Sequence, residues 1–210
     1  MNSAIPKQFL KIGGIPILMR SIQAFRDCSE DIEIILVISV ALIKQWEELC
    51  VQHKFSISHK IAFGGKTRFH SVKNGIALVE YEDSLVAVHD GVRPFVSKNI
   101  IMDVFQSAEK YGTAIPCLKI NDSVRIIENG KTMPFNRELI YFVQTPQCFQ
   151  TQLIKKAYEQ KFQDWFTDDA TVVESLGADI HIVKGELENI KITTPMDLII
   201  AEALLNNRKY

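Results

Sequence analysis

Two short polar runs and one scattered group in this 210-residue chain carry residue types suited to an anionic ligand. In Gly64-Gly65-Lys66-Thr67-Arg68, two glycines let the main chain approach a ligand closely. A helix starting just after them would aim its free amides at an anion or a base edge. The same run also reads as an ordinary loop. In His89-Asp90-Gly91-Val92-Arg93-Pro94, the carboxylate is a natural Mg²⁺ ligand where phosphates supply the other oxygens, and Arg93 could fork onto a phosphate. The alternative is an Asp–Arg ion pair that orders a loop, and His89 taken singly reads as structural. The third group, Lys7, Arg137, Thr145, Thr167, Asp168 and Lys191, is scattered, and each member alone is ordinary. Lys191 stands out because it falls at the end of a predicted strand in Asn189-Ile190-Lys191-Ile192-Thr193-Thr194-Pro195. A capped helix follows, so the placement suits phosphate.

Such residues need a frame. In open α/β sheets, ligands bind beyond the carboxyl ends of the strands. Glu33–Ser39 is a β-branched apolar run of the kind buried on both faces, Ile57–Ala62 a weaker strand, and Leu85–Val88 a short strand leading straight into His89-Asp90. Thr113–Leu118 and Ile180–Val183 complete the predicted strands. Helical spacing marks Pro16–Phe25, the stretch around Trp46, Leu49 and Cys50, the stripe Phe69, Val72, Ile76 and Val79, then Ile100–Ala108 and Leu153–Tyr158. The last helix starts at Thr194-Pro195-Met196-Asp197, with Thr194 as N-cap and Pro195 in the first turn. Alternation of strands and helices predicts an α/β fold with a mostly parallel sheet covered on both faces. One segment interrupts it. Ser123–Met133 reads as a β-hairpin turning at Asn129-Gly130, which either extends the sheet or projects, over residues 122–137, as an arm of the kind that clasps a second subunit. No repeat or linker divides the chain, so residues 1–210 are read as one domain.

Composition narrows the function classes. Charged residues are 23% and the net charge is −1, so no global basic field is available to hold nucleic acid. No apolar run approaches the roughly 20 residues that span a bilayer. The start, MNSAIPKQFLKIGG, lacks a signal-peptide layout, which predicts a cytoplasmic protein. Cys28, Cys50, Cys117 and Cys148 form no C-x-x-C pair and are expected to be reduced, mostly buried thiols.

In order along the chain, Pro6-Lys7-Gln8-Phe9, Gly64-Gly65 with Arg68 and Ser71-Val72, the run His89–Phe95, Thr145-Pro146-Gln147, Thr167-Asp168 and Asn189–Thr193 resemble the 2-C-methyl-D-erythritol 4-phosphate cytidylyltransferase family. The resemblance extends from Pro6 to the last helix. It implies a Rossmann-like nucleotidyltransferase sheet and a Mg²⁺-dependent reaction of CTP with a polyol phosphate, in a homodimer clasped by the hairpin arm. It further implies that Lys7 stabilises the transition state on the CTP phosphates, while Gly65, Ser71 and the Lys66 backbone meet cytosine. Asp90 would hold Mg²⁺ and touch the acceptor's hydroxyls. Arg93, Ser123, Thr145 and Thr167 would bind the acceptor, Lys191 would aim its phosphate, and Arg137 would do so from the neighbouring subunit. Ribitol-5-phosphate cytidylyltransferases share these motifs and are the alternative. Thr167-Asp168-Asp169-Ala170 is more like the methylerythritol enzymes.

The resemblance has one gap. Family members carry an apolar strand and a loop like A-A-G-x-G-x-R-M some 20 residues before P-K-Q, where only Met1–Ile5 precede Pro6 here. The readings of this gap are a start assigned too late, a truncated chain, or a degenerate paralogue that only binds nucleotide or dimerises. Low stability and little turnover are the expectation for the chain as written, because a missing central strand leaves two rows of backbone groups unpaired.

Overall fold

The computed structural model describes residues 5–207. Met1–Ala4, on which part of the amino-terminal reading rests, lie outside the described residues. After a 3₁₀ turn at Lys7–Phe9 come the short ribbon β1 (Lys11–Ile12) and β2 (Ile15–Pro16), helix α1 (Ile17–Cys28), β3 (Ile35–Ile38), α2 (Ile43–Gln52), β4 (Lys60–Phe63) and α3 (Arg68–Ile76). β5 (Leu85–Val88), α4 (Lys98–Tyr111) and β6 (Thr113–Lys119) follow, then the arm, β7 (Val124–Glu128) and β8 (Lys131–Phe135). The chain closes with β9 (Tyr141–Val143), β10 (Gln147–Gln150), α5 (Thr151–Ala157), α6 (Asp169–Glu174), β11 (Ile182–Lys184) and α7 (Pro195–Asn207).

Local chemistry sets these boundaries. The Thr67 hydroxyl accepts the His70 amide at the start of α3, and the Ser97 hydroxyl accepts the Ile100 amide at the start of α4. Caps of this kind stabilise by about 1 kcal/mol each. Helix α4 ends on Gly112 in the left-handed region, φ 88°. At the arm's tip Asn129 and Gly130 both have positive φ (49° and 75°), and Glu128 pairs with Lys131, giving the expected two-residue hairpin.

The class is α/β with helices on both faces, as the sequence predicts, and the sheet is mixed. β3 pairs β4 in parallel, and β11 pairs β6 in parallel. β10 lies between β5 and β6 antiparallel to both, and β9 runs antiparallel to β6. β9 and β10 escape the sequence reading because they are short and polar-flanked, with no alternation to mark them. β10 is fixed by burial, with Gln147, Cys148 and Phe149 all inside. Helices α1 and α4 share one core with Cys148 and Ala114, while α1, α2 and β3 pack around Trp46. On the other face α3, α5 and α6 enclose Phe69, Phe149, Ile154, Tyr158 and Val173. The expected strand around Lys191 is not formed. Residues 185–194 are irregular and are anchored by the buried Ile192, whose amide donates to the Val92 carbonyl (2.9 Å). The segment's main chain is engaged by side chains instead of a sheet edge, with the Arg93 guanidinium donating to the Asn189 carbonyl (2.7 Å).

Among the described residues β3 has β4 as its sheet neighbour and β5 has β10. Their other edges border a cleft of about 810 Å³, walled by α1 residues Leu18, Ile22 and Phe25 on one side and α3 residues Val72, Gly75 and Ile76 on the other. Gln8, Ser39, Arg68, Ser71 and Asp90 also line it.

Candidate active site

The site is assembled where β5 ends. His89 is buried, and its Nε2 lies 3.0 Å from the Arg93 carbonyl, which can only accept, so Nε2 carries the proton. Nδ1 therefore accepts from the Thr145 hydroxyl (3.1 Å), whose oxygen in turn accepts the Asp90 amide (3.1 Å). This chain of bonds fixes the main chain that carries Asp90. Burial pushes the His89 imidazole down to about 4, so it is neutral at physiological pH.

Asp90 is the centre of the charge arrangement. Its Oδ2 meets Lys191 Nζ at 3.1 Å and Arg93 Nε at 3.2 Å. Burial would raise this carboxyl, but Lys191, then Arg93 and Arg68, outweigh it and hold the group below the ordinary range, hence ionised. Both close cations sit on Oδ2, which leaves Oδ1 to face other partners. Arg93 is buried and also donates through Nη1 to the Asn189 carbonyl (2.7 Å). Ion pairing that orders the loop is thus what its geometry does first. Asn189 donates to the Thr145 carbonyl (2.9 Å), and Gln144 donates to the Glu186 carbonyl (2.8 Å), so the irregular segment before Lys191 is stitched to the end of β9. Lys191 stays half-exposed and can move onto a ligand.

The glycine-rich run forms a second part of the site. The Gly65 amide donates to the Ser71 hydroxyl (3.0 Å), which donates to the Thr67 carbonyl (2.9 Å). A Cβ on Gly65 would stand 2.4 Å from His70 Cβ, so the close approach requires glycine. Lys66 is exposed. Lys7 is exposed in the first 3₁₀ turn, and the next residue, Gln8, lines the same cleft as Asp90.

The third part is the turn before α6. Thr167 is exposed, its hydroxyl 3.3 Å from that of Thr171. Asp168 caps α6 by accepting the Thr171 amide (2.9 Å) and also accepts from Gln147 (2.8 Å). The structure therefore gathers Asp90, Arg93, Thr145 and Lys191 in direct contact, with Ser71 on the same cleft as Asp90 and Gly65 bonded to Ser71. Ser123 and Arg137 are not part of that cluster. They are exposed at the base of the arm, where Arg137 donates to the Asn121 carbonyl. Sequence reasoning assigned no role to Gln144, Gln147, Asn189 or the Arg68–Asp169 pair. Arg68 and Asp169 are 101 residues apart, and no local pattern links them.

A mixed α/β sheet with a glycine loop at a helix start, facing a strand-end carboxylate ringed by cations, defines a nucleotidyltransferase. Residues 1–207 match the 2-C-methyl-D-erythritol 4-phosphate cytidylyltransferase family, and the chain belongs to it. A protein of that name from Bacteroides thetaiotaomicron is 47% identical over 205 residues, covering 98% of this chain and 93% of the relative. One from Bacteroides fragilis is 49% identical with the same coverage. Among solved structures, the 4-diphosphocytidyl-2C-methyl-D-erythritol synthase of Anaerococcus prevotii superposes with a TM-score of 0.84 at 31% identity, over 98% of this chain and 92% of that one. The 2-C-methyl-D-erythritol 4-phosphate cytidylyltransferase of Thermus thermophilus gives 0.79 at 32%, over 96% and 94%.

Proposed function

We propose that this enzyme joins CTP to 2-C-methyl-D-erythritol 4-phosphate, giving 4-diphosphocytidyl-2-C-methyl-D-erythritol and pyrophosphate in the non-mevalonate isoprenoid pathway. The observation that carries the reading is Asp90 held ionised between Lys191 and Arg93 at the end of β5, beside the Gly65–Ser71 loop. A phosphate oxygen of the acceptor attacks the α-phosphorus of CTP, and the bond to the bridging oxygen breaks as pyrophosphate leaves with its electron pair. No covalent protein intermediate is needed. The difficulty is electrostatic, since two unit charges about 4 Å apart repel by roughly 4 kcal/mol at an effective dielectric of 20. The site's cations offset that repulsion.

Gly65, the Lys66 backbone and Ser71 receive cytosine, and Lys7 steadies the CTP phosphates through the transition state. Lys191 aims the acceptor phosphate, while Thr145, Thr167 and the remaining donors of Arg93 bind the rest of the acceptor. Ser123 and Arg137 reach the acceptor from the neighbouring subunit. The Asp90 carboxylate fits Mg²⁺, because Oδ1 is clear of both cations on Oδ2. Among the described residues no group of three His, Cys, Asp or Glu gathers, so Asp90 would hold the ion with phosphates and water supplying its other oxygens. When bound, Mg²⁺ supplies charge neutralisation on the transferring phosphorus. A cytoplasmic homodimer is the form we propose. Support for the dimer comes from the arm and β9, which expose Ile127, Phe135, Phe142 and Val143.

Pyrophosphate release with CTP and each of two acceptors, methylerythritol phosphate and ribitol 5-phosphate, tests the proposal. Release with the first is expected. Release with ribitol phosphate alone, or with neither, overturns it.

A further inference from the structure

Arg68 opens α3, and its guanidinium forks onto Asp169, with Nη1 to Oδ1 at 2.8 Å and Nη2 to Oδ2 at 2.6 Å. Asp169 opens α6 and is fully buried, and the Tyr158 hydroxyl donates to the same Oδ1 (2.5 Å). The pair bridges two segments that nothing in the sequence places together. On one side is the Gly65–Ser71 loop, through Arg68 itself. On the other is the Thr167-Asp168 turn, locked onto β10 by Gln147, which donates to Asp168 (2.8 Å) and accepts the Ala170 amide (2.8 Å). If only packing were at stake, apolar residues of similar volume would serve as well or better than a buried charge. Arg68 is not sealed in, however. Its side chain is 38% exposed, it lines the same cleft as Ser71 and Asp90, and its charge acts on the Asp90 carboxyl along with Lys191 and Arg93.

We propose that Arg68, forked onto the buried Asp169, is a positioning residue that sets the distance between the nucleotide loop at α3 and the acceptor turn at α6. This rests on the function proposed above. A bidentate fork fixes both distance and angle, which a single ammonium contact cannot. Holding two reactants to within an ångström is worth about 10²-fold in rate. Tyr158 holds Asp169 through one hydroxyl bond and also lies within reach of the Arg68 guanidinium, but the two-point fork that sets the geometry is made by Arg68 alone.

The test compares Arg68→Lys and Tyr158→Phe with the parent chain, by pyrophosphate release and thermal unfolding. Arg68→Lys is expected to lower kcat about 10²-fold while KM for CTP and acceptor changes less than about 3-fold and the midpoint holds within a few degrees. Tyr158→Phe is expected to lower the midpoint and leave kcat within about two-fold, since it removes one bond to a group that Arg68 still holds. A kcat for Arg68→Lys within two-fold of parent overturns the proposal, as does an equal loss in Tyr158→Phe. Amide exchange gives a reading independent of turnover. Arg68→Lys should speed exchange in both residues 65–71 and residues 167–171 while β6 and β10 keep theirs. Unchanged exchange in either segment overturns the positioning role even where the parent itself releases no pyrophosphate, whereas that silent parent overturns only the function.

Discussion

Lys191 is held by one ion pair and is half-exposed, so its loss removes a cation from the site without opening the core. Lys191→Ala is expected to cut turnover by about 10²-fold or more with the fold retained, read as pyrophosphate release beside an unchanged circular dichroism spectrum. His89 makes the opposite kind of contribution. Its folded value, about 4, lies below the ordinary 6.5, so the unfolded chain binds the proton more readily between those limits. The associated stability is complete above pH 6.5 and is lost as pH falls toward 4, on the order of 3 kcal/mol in all. Asp90, held below the carboxylate range by Lys191 and its neighbours against burial, adds a further loss at still lower pH. Urea midpoints measured from pH 7 to pH 4 should fall through this window, and a flat profile would contradict the neutral, buried imidazole. The four thiols take no part. Burial raises Cys117 to about 11 and Cys148 to about 12, so neither ionises at physiological pH.

At the scale of elements, the sequence was most legible where one short-range rule decides. Asn129-Gly130 dictates a two-residue hairpin because both positions must take positive φ. Thr194 caps α7 as its spacing to Asp197 predicts, its hydroxyl 3.3 Å from the Asp197 amide. Leu85–Val88 forms a strand over the predicted residues. The stripe through Phe69, Val72 and Ile76 forms α3, although the helix ends at Ile76, short of Val79. Gly65 shows what the glycine loop demands. Gly65→Ala would drive Cβ against His70 and force the loop off Ser71, so CTP affinity should fall at least 10-fold while α3 remains folded. Equilibrium dialysis checks the first part and helical signal the second. An affinity within two-fold of the parent would show that the loop can give way.

Across the whole molecule, exposed apolar side chains are spread over several elements, and a run of them follows the arm and β9. Ile127 (75%), Phe142 (61%) and Leu139 (71%) are all largely exposed, more than scattered surface residues of a monomer require. Ile127→Asp together with Phe142→Glu should turn a dimer into a monomer without unfolding it, as read by sedimentation velocity. A parent that already sediments as a monomer would remove the dimer from the proposal. Composition, spacing and motif order determined the α/β class, the hairpin and the family, because each depends on chain-local chemistry or on the order of short motifs. Only the folded chain decided that β10 runs antiparallel between β5 and β6, that the segment bearing Lys191 is irregular, and that Arg93 ties down Asp90. It alone brought Arg68 to Asp169. These outcomes depend on which distant groups compete for the same sheet edge or the same buried charge, and that competition is settled in three dimensions.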